Sequence, residues 1–310
     1  MISTDFNPKK TKKLFGYTNE FEFLKKLVIT KSFPRSLLLT GSKGEGKSTI
    51  VNHLMYCYFD NKNYDKDKNI ILSKSNFYNQ FVENQFPNII YLSGSDFKNV
   101  RIDDIRKIRV ILNKTPIIND RRFIILDDVE KFNINSLNAL LKIIEEPGSS
   151  NFFILINNKS KFLIDTIKSR SIEVKIILNN KNRNLISRSL INHFNQEKIF
   201  DENLLKISPG NYLKFNSIFY ENNFDINDKF SVNFNNILKL YKKEKDMFYK
   251  ELLLFFVDYN FQKIISKKIL NNRMILQNRL LMFKNINNFF LYNLSQNTLI
   301  NSVENYFLDE

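Results

Sequence analysis

The chain has 310 residues and a mass of 36.9 kDa, is 43% apolar, and sets 47 lysines and arginines against 32 aspartates and glutamates for a formal charge of +15. That length exceeds one small core and suits two or three domains. No run approaches the roughly 18 apolar residues of a membrane span, the densest being Leu252 to Val257, and the first residues lack the charged-then-apolar layout of a secretory signal, so a cytoplasmic protein is expected.

The single cysteine, Cys57, excludes a disulfide and a cysteine zinc site and reads as a small buried side chain. The positive charge permits a polyanionic partner, because lysine and arginine release counterions from phosphates. It is permissive only: Lys, Asn, Ile and Phe are abundant throughout, while there are 7 glycines, 6 prolines and no tryptophan.

In chain order, Ser36–Thr40 reads as a buried strand, followed by the phosphate loop Gly41-Ser-Lys-Gly-Glu-Gly-Lys-Ser48 and a helix over 49–59. Residues 60–68 are polar and read as a solvated, mobile segment. Strands are expected over 88–93, Arg122–Asp127, 152–157 and 172–176, with helices over Ile102–Leu112 and 134–144. Such alternation argues for a parallel sheet with helices on both faces. Beyond 176 the spacing turns helical. A small helical unit is expected over 177–224, broken by Ser208-Pro-Gly210, and an all-helical domain over 225–310 whose phenylalanines read as core or subunit contacts.

The loop carries phosphate chemistry in every position. Gly41, Gly44 and Gly46 let the backbone turn its N–H groups toward phosphate oxygens, Lys47 reaches the terminal phosphates as a point charge outside the core, and Ser48 can ligate magnesium. Phosphoryl transfer needs a second acidic element at the end of a buried strand, and Asp127 supplies it as a magnesium ligand, with Asp128 where a water-activating carboxylate would sit. A paired Asp at a strand end also serves as a helix cap or a solvated turn; the loop upstream favours the magnesium reading. On the helix Ile102–Leu112, Arg101, Arg106 and Lys107 oppose Ile102, Ile105 and Ile108 and point away from the core.

The block from Asp127 to Pro147, with its Asn-Ala-Leu-Leu-Lys and Glu-Glu-Pro stretches, resembles the Walker B region of clamp-loader AAA+ proteins. Phe152 to Asn158 is similar to their sensor 1 strand, and Ser169-Arg-Ser171 to their Ser-Arg-Cys motif with Ser171 for cysteine. Phe86-Pro-Asn88 and Val100 to Arg106 extend the likeness, which covers residues 16–176 well and 205–213 weakly. It implies an α/β AAA+ P-loop domain over 1–176, a helical lid over 177–224 and a helical collar over 225–310. ATP and magnesium are the implied cofactors, without zinc, and Thr49 and Asn158 join the nucleotide-contacting residues.

Departures from the pattern bear on the type of subunit. The ATPase subunits carry a zinc module, a glutamate at the position of Asp128 and a sensor 2 arginine, where this chain has Gly210 within Ser-Pro-Gly. That form resembles the delta-prime type, in which Arg170 would act as an arginine finger on a neighbouring ATPase. The implied partners are the other subunits of a hetero-pentamer, the sliding clamp and primed DNA, with the helix carrying Arg101, Arg106 and Lys107 beside the DNA. A gamma or tau type ATPase subunit, or another P-loop ATPase, is the alternative: the loop and Asp127 support it, while Asp128 is one methylene shorter than glutamate.

Overall fold

A computed structural model describes residues 6–72, 74–95, 100–118, 121–266 and 272–304; the first five residues, read above for a targeting signal, lie outside them. The chain divides into two compact units, one running to Ile186 and taking in Ser208–Gly210, the other formed by residues 187–207 and from 211 onward.

The first unit holds helices α1 (Thr18–Ile29), α2 (Lys47–Phe59), α3 (Asn76–Val82), α4 (Ile102–Leu112), α5 (Ile134–Glu145) and the short α6 (Asp165–Lys168). Its strands are β1 (Ser36–Thr40), β2 (Tyr64–Asp65), β3 (Ile70–Ile71), β4 (Ile89–Ser93), β5 (Arg122–Asp127), β6 (Asn151–Asn157) and β7 (Ile172–Lys175). Five of these form one parallel sheet in the order β4-β5-β6-β1-β7. Strands β1, β5 and β6 are buried along their whole length, as continuous apolar runs covered by helices on both faces must be.

Because successive side chains in a strand point to opposite faces, the sheet divides two cores between its sides. Leu37, Leu39, Phe123, Ile125, Ile154 and Ile156 pack with Phe21, Leu24, Ile50 and Leu54 of α1 and α2. Leu38, Ile124, Leu126, Phe153 and Leu155 pack with Ile105 and Ile108 of α4 and Leu137, Leu140 and Ile144 of α5. Cys57 is buried in the first core as expected.

The polar segment after α2 departs from its solvated reading. It forms a 3-10 turn and the antiparallel pair β2–β3, and Tyr64 within it is 4% exposed. The cause lies in α2: His53 is fully buried, and its Nε2 meets the Thr11 carbonyl at 3.1 Å while Nδ1 meets the Tyr64 hydroxyl at 3.0 Å. A carbonyl only accepts, so the neutral ring carries its proton on Nε2 and accepts a hydrogen bond from the Tyr64 hydroxyl at Nδ1.

In the second unit, α9 (Phe230–Glu244), α10 (Phe248–Ser266), α11 (Asn272–Tyr292) and α12 (Gln296–Glu304) pack against one another in sequence, with α12 returning to α9. Helices α7 (Asn180–His193) and α8 (Pro209–Glu221) precede them in the chain, each beginning in residues of the first unit. Many of the described phenylalanines pack in the core: Phe200 meets Phe219 edge-on at 4.8 Å, Phe215 lies 4.8 Å from Phe255, and Phe230 stacks on Phe256 at 5.1 Å. Among the described residues no helix is long and apolar enough to cross a membrane.

Burial lowers the His53 pKa from 6.5 to about 4, against the opposing hydrogen bond to Thr11. The unfolded chain therefore takes up a proton below pH 6.5 that the folded chain refuses until about pH 4, and stability falls as pH drops through that window. Urea unfolding at pH 7 and pH 5 should show a loss about 2 kcal/mol larger in the wild type than in His53→Gln. An equal loss in both would place the acid sensitivity elsewhere.

Candidate nucleotide-binding site

The parallel register brings four strand ends to one edge of the sheet. Thr40 pairs with Asn157 across β1 and β6, and Ser93 pairs with Asp127 across β4 and β5. The loop leaves β1 at Gly41 and enters α2 through Gly46, which caps the helix at φ 83°, a left-handed backbone that glycine adopts without a Cβ penalty. The first-turn N–H groups of α2 have no partner within the helix and form, with the positive end of the helix dipole, a site for an anion.

Lys47 belongs to neither hydrophobic core, yet it is buried. It is 2% exposed, and its ammonium folds back on the loop, donating to the carbonyls of Gly41 at 2.8 Å and Ser42 at 2.7 Å. Burial lowers its pKa to about 8, opposed by the negative charges of Glu45, Asp127, Glu130 and Asp128. Glu45 accepts the Ser42 N–H at 2.7 Å, so the loop closes around its own lysine.

At the end of β5, Asp127 collects four donors. The Ser48 hydroxyl donates at 2.7 Å, the Asp128 N–H at 2.9 Å, the Tyr91 hydroxyl at 3.1 Å and the Asn158 amide at 3.3 Å. Burial, together with the neighbouring Asp128 charge, holds its pKa above the usual carboxylate value, against the hydrogen bonds from Ser48, the Asp128 N–H and Tyr91. The Ser48 and Asp127 oxygens suit magnesium: they are hard donors, and two neighbouring ligands about 2.1 Å from an octahedral ion stand roughly 3 Å apart.

Asp128 sits in the left-handed region at φ 51° and ψ 40°. Its carboxylate accepts from the Ser95 hydroxyl, from Asn158 at 2.8 Å, and pairs with Lys131 at 3.3 Å. Burial works to raise its pKa, but these partners together hold it below the usual carboxylate value. Thr49 is half-buried in the first turn of α2.

Two residues of this cluster escaped the sequence reading. Tyr91 reaches Asp127 from β4, and the ammonium of Lys9 lies 3.9 Å from the centre of its ring. Glu130 is 4% exposed and accepts from the Ser160 hydroxyl at 2.6 Å and from the N–H groups of Ser160 and Asn158 at 3.2 Å each, holding the turn that presents Asn158. Each depends on a partner about 30 residues or more away, which local pattern does not reveal.

Arg170 is not drawn into the cluster. Its Nε donates to Glu145 at 2.5 Å and its Nη1 to the Thr166 carbonyl at 3.2 Å, with the side chain 39% exposed. The basic residues of α4 also stand apart and exposed, Arg106 paired with Asp103 at 3.1 Å. A groove of about 380 Å³ between α4 and α5 gathers Arg106 with Arg109, Lys142 and Asn138; Arg101 and Lys107 lie outside its lining.

A phosphate loop, a carboxylate on the adjacent strand but one, an amide at the end of the strand between them and a parallel sheet define an α/β P-loop fold of the AAA+ class. The model of the family described as DNA polymerase III, delta subunit, matches residues 16–179, just over half of the chain. The chain belongs to that family, as the motifs between Asp127 and Ser171 imply.

Among curated relatives, DNA polymerase III subunit delta' of Pseudomonas aeruginosa is 34% identical over 76 residues, covering 24% of this chain and 23% of that protein. DNA polymerase III subunit tau of Bacillus subtilis is 24% identical over 208 residues, covering 66% and 34%. DNA polymerase III subunit delta' of Buchnera aphidicola subsp. Baizongia pistaciae is 24% identical over 144 residues, covering 44% and 42%. The chain thus spans less than half the length of each of these relatives. Of solved structures, a DNA polymerase III gamma subunit-related protein of Thermotoga maritima is 18% identical with a TM-score of 0.43, covering 85% of this chain and 98% of that one. The DNA clamp loader delta protein of Bacillus subtilis is 11% identical with a TM-score of 0.35, covering 93% and 98%.

The lowered pKa of Lys47 has a consequence for binding. A bound phosphate holds the lysine protonated, whereas above about pH 8 the free chain loses that proton, so binding requires proton uptake. Affinity for a fluorescent ATP analogue should stay level from pH 7 to 8 and then fall by up to about tenfold per pH unit. A flat profile to pH 10 would show that Lys47 does not hold the phosphates.

Proposed function

We propose that the chain is a cytoplasmic clamp-loader subunit of DNA polymerase III, of delta-prime type, which holds ATP and magnesium while contributing chiefly to assembly and to a neighbour's catalysis. In this reading residues 177–224 form the lid and 225–310 the collar through which the hetero-pentamer assembles, and the assembly acts on the sliding clamp and primed DNA. Gly41, Gly44, Gly46, Lys47, Ser48 and Thr49 cradle the phosphates, Ser48 and Asp127 take magnesium, and Asn158 orients the terminal phosphate. Magnesium, when bound, offsets the phosphate charge; this chain's residues bind and orient.

The observation that carries the reading is the engagement of Asp128. A carboxylate that activates water needs a free oxygen facing it, and this one is taken up by Ser95, Asn158 and Lys131. Its short side chain adds to the deficit, since misplacing a catalytic group by about 1 Å costs on the order of 100-fold. Weak intrinsic hydrolysis with intact nucleotide contacts follows. The gamma or tau type reading draws on the Ser48–Asp127 pair, which is complete for an ATPase. ATP turnover by the isolated chain separates the two: turnover near that of a full ATPase favours the second.

Arg170 is assigned to the neighbouring subunit's site. Glu145 accepts from the Nε of its guanidinium and Thr166 and Ser169 from its Nη1, and Nη2 makes no bond among the described residues. A guanidinium anchored at two nitrogens presents its third in a fixed orientation, suited to phosphate. An arginine supplied in trans accelerates phosphoryl transfer by about 10³–10⁵. Arg170→Ala should therefore assemble normally, keep this chain's nucleotide affinity, and lower clamp- and DNA-stimulated ATP hydrolysis by the reconstituted complex in part, because one interface is altered. Arg170→Lys should rescue it incompletely. Wild-type hydrolysis in the Arg170→Ala complex would refute the assignment.

DNA contact is assigned to α4, with Arg101, Arg106 and Lys107 as its phosphate ligands and the Arg109 and Lys142 groove beside them. Replacing the first three with alanine should weaken binding of primed DNA by the complex and reduce its salt dependence by up to about one unit of slope per lost phosphate contact. An unchanged slope would return these residues to the solvated face of the helix.

A further inference from the structure

Ser208-Pro209-Gly210 belongs to the same compact unit as the phosphate loop, although it is far from it in sequence. The Ser208 hydroxyl donates to the Lys43 carbonyl at 2.6 Å, and the Gly210 N–H donates to the Gly44 carbonyl at 2.9 Å. Ser208 is 8% exposed. Pro209, which opens α8, has no N–H and a fixed φ, so the donors on either side of it are held in one orientation. Two consecutive carbonyls at the apex of the loop are thus tied to one rigid turn.

The approach at Gly210 is closer than any side chain allows. A Cβ there would stand 2.8 Å from the Gly44 carbonyl oxygen and 3.3 Å from the Gly44 Cα. The obstacle is backbone, which cannot swing away as a side-chain tip does. An arginine at 210 and this contact are mutually exclusive.

The contact bears on phosphate chemistry through the planarity of the peptide bond. In a trans peptide the carbonyl and the following N–H point in opposite directions. Tying the Lys43 and Gly44 carbonyls to Ser208 and Gly210 therefore turns the N–H groups of Gly44 and Glu45 the other way, into the concave side of the loop. The Glu45 N–H there makes only a long bond to the Ser42 carbonyl, at 3.3 Å, which a phosphate oxygen can replace.

We infer that Ser208 and Gly210 are positioning residues that brace the loop from its outer side, setting the amides of Gly44 and Glu45 for the phosphates of a nucleoside di- or triphosphate. The inference rests on the nucleotide-binding reading and adds to it a function for the Ser-Pro-Gly turn: the space of a side chain reaching toward the nucleotide is given over to a backbone tie.

The test uses the full chain, with a fluorescent ATP analogue and magnesium for affinity and hydrogen exchange of the ligand-free protein for the loop. Ser208→Ala should lower affinity roughly 3- to 10-fold, the worth of one hydrogen bond, and speed exchange at the Gly44 and Glu45 amides, with the thermal midpoint nearly unchanged. Gly210→Ala should lower affinity further, and Gly210→Arg should give no gain in ATP turnover. Unchanged or raised affinity in Ser208→Ala, with the wild type binding, would overturn the brace alone. If the wild type fails to bind, the nucleotide reading falls, and the exchange rates still decide whether the turn orders the loop: equal rates in wild type and Ser208→Ala refute it.

Discussion

The hydrogen bond from Ser48 to Asp127 is the point on which the molecule's chemistry converges. It joins the first turn of α2 to the end of β5, and it exists because β1, β6 and β5 are parallel neighbours whose carboxyl ends stop level with one another. A parallel sheet needs helices to carry the chain back, and those helices cover both faces, so polar groups can gather only where the strands end. Tyr91, Asp127 and Asn158 sit at or near that edge, each from a different strand or the turn beyond it.

Gathering acids and a lysine in so little water creates its own electrostatic problem. Lys47 is buried, and the carboxylates named around it oppose the loss of its proton. The acids have partners in turn: Asp128 has Lys131 within reach, and Glu130 accepts three hydrogen bonds from the Asn158–Ser160 turn. Buried charge is tolerable where every lone pair finds a donor. The cluster is accordingly well bonded before any ligand enters, and a phosphate must compete with bonds already made.

Much of this was legible in the amino-acid order. Strands such as Leu37 to Leu39 and Phe123 to Leu126 are unbroken apolar runs, too short for core helices and bounded by turn residues, and the helix of Ile105 and Ile108 shows its buried stripe directly. The phosphate loop, Asp127 and Asn158 were found from motif and are brought together. What escaped was decided by pairing across the fold. Tyr64 looks like one aromatic in a polar stretch until His53 claims its hydroxyl, and Glu130 looks like a surface acid until the turn after β6 closes on it. The α4–α5 groove likewise needs Lys142 of one helix beside Arg106 and Arg109 of another, a juxtaposition that helical periodicity alone does not contain.

The left-handed backbone at Asp128 ties two properties that a chemist would vary separately. Aspartate tolerates that region better than most residues with a Cβ, because its short polar side chain bonds locally. Here that shortness also fixes how far the carboxylate extends and which partners, Ser95 and Asn158, it satisfies. Reach and chirality are thus a single variable at this corner. A longer acid there would carry its oxygens past Ser95 and Asn158 unless the turn from Asp128 to Lys131 moved with it, so side-chain length and the path of the main chain are set together.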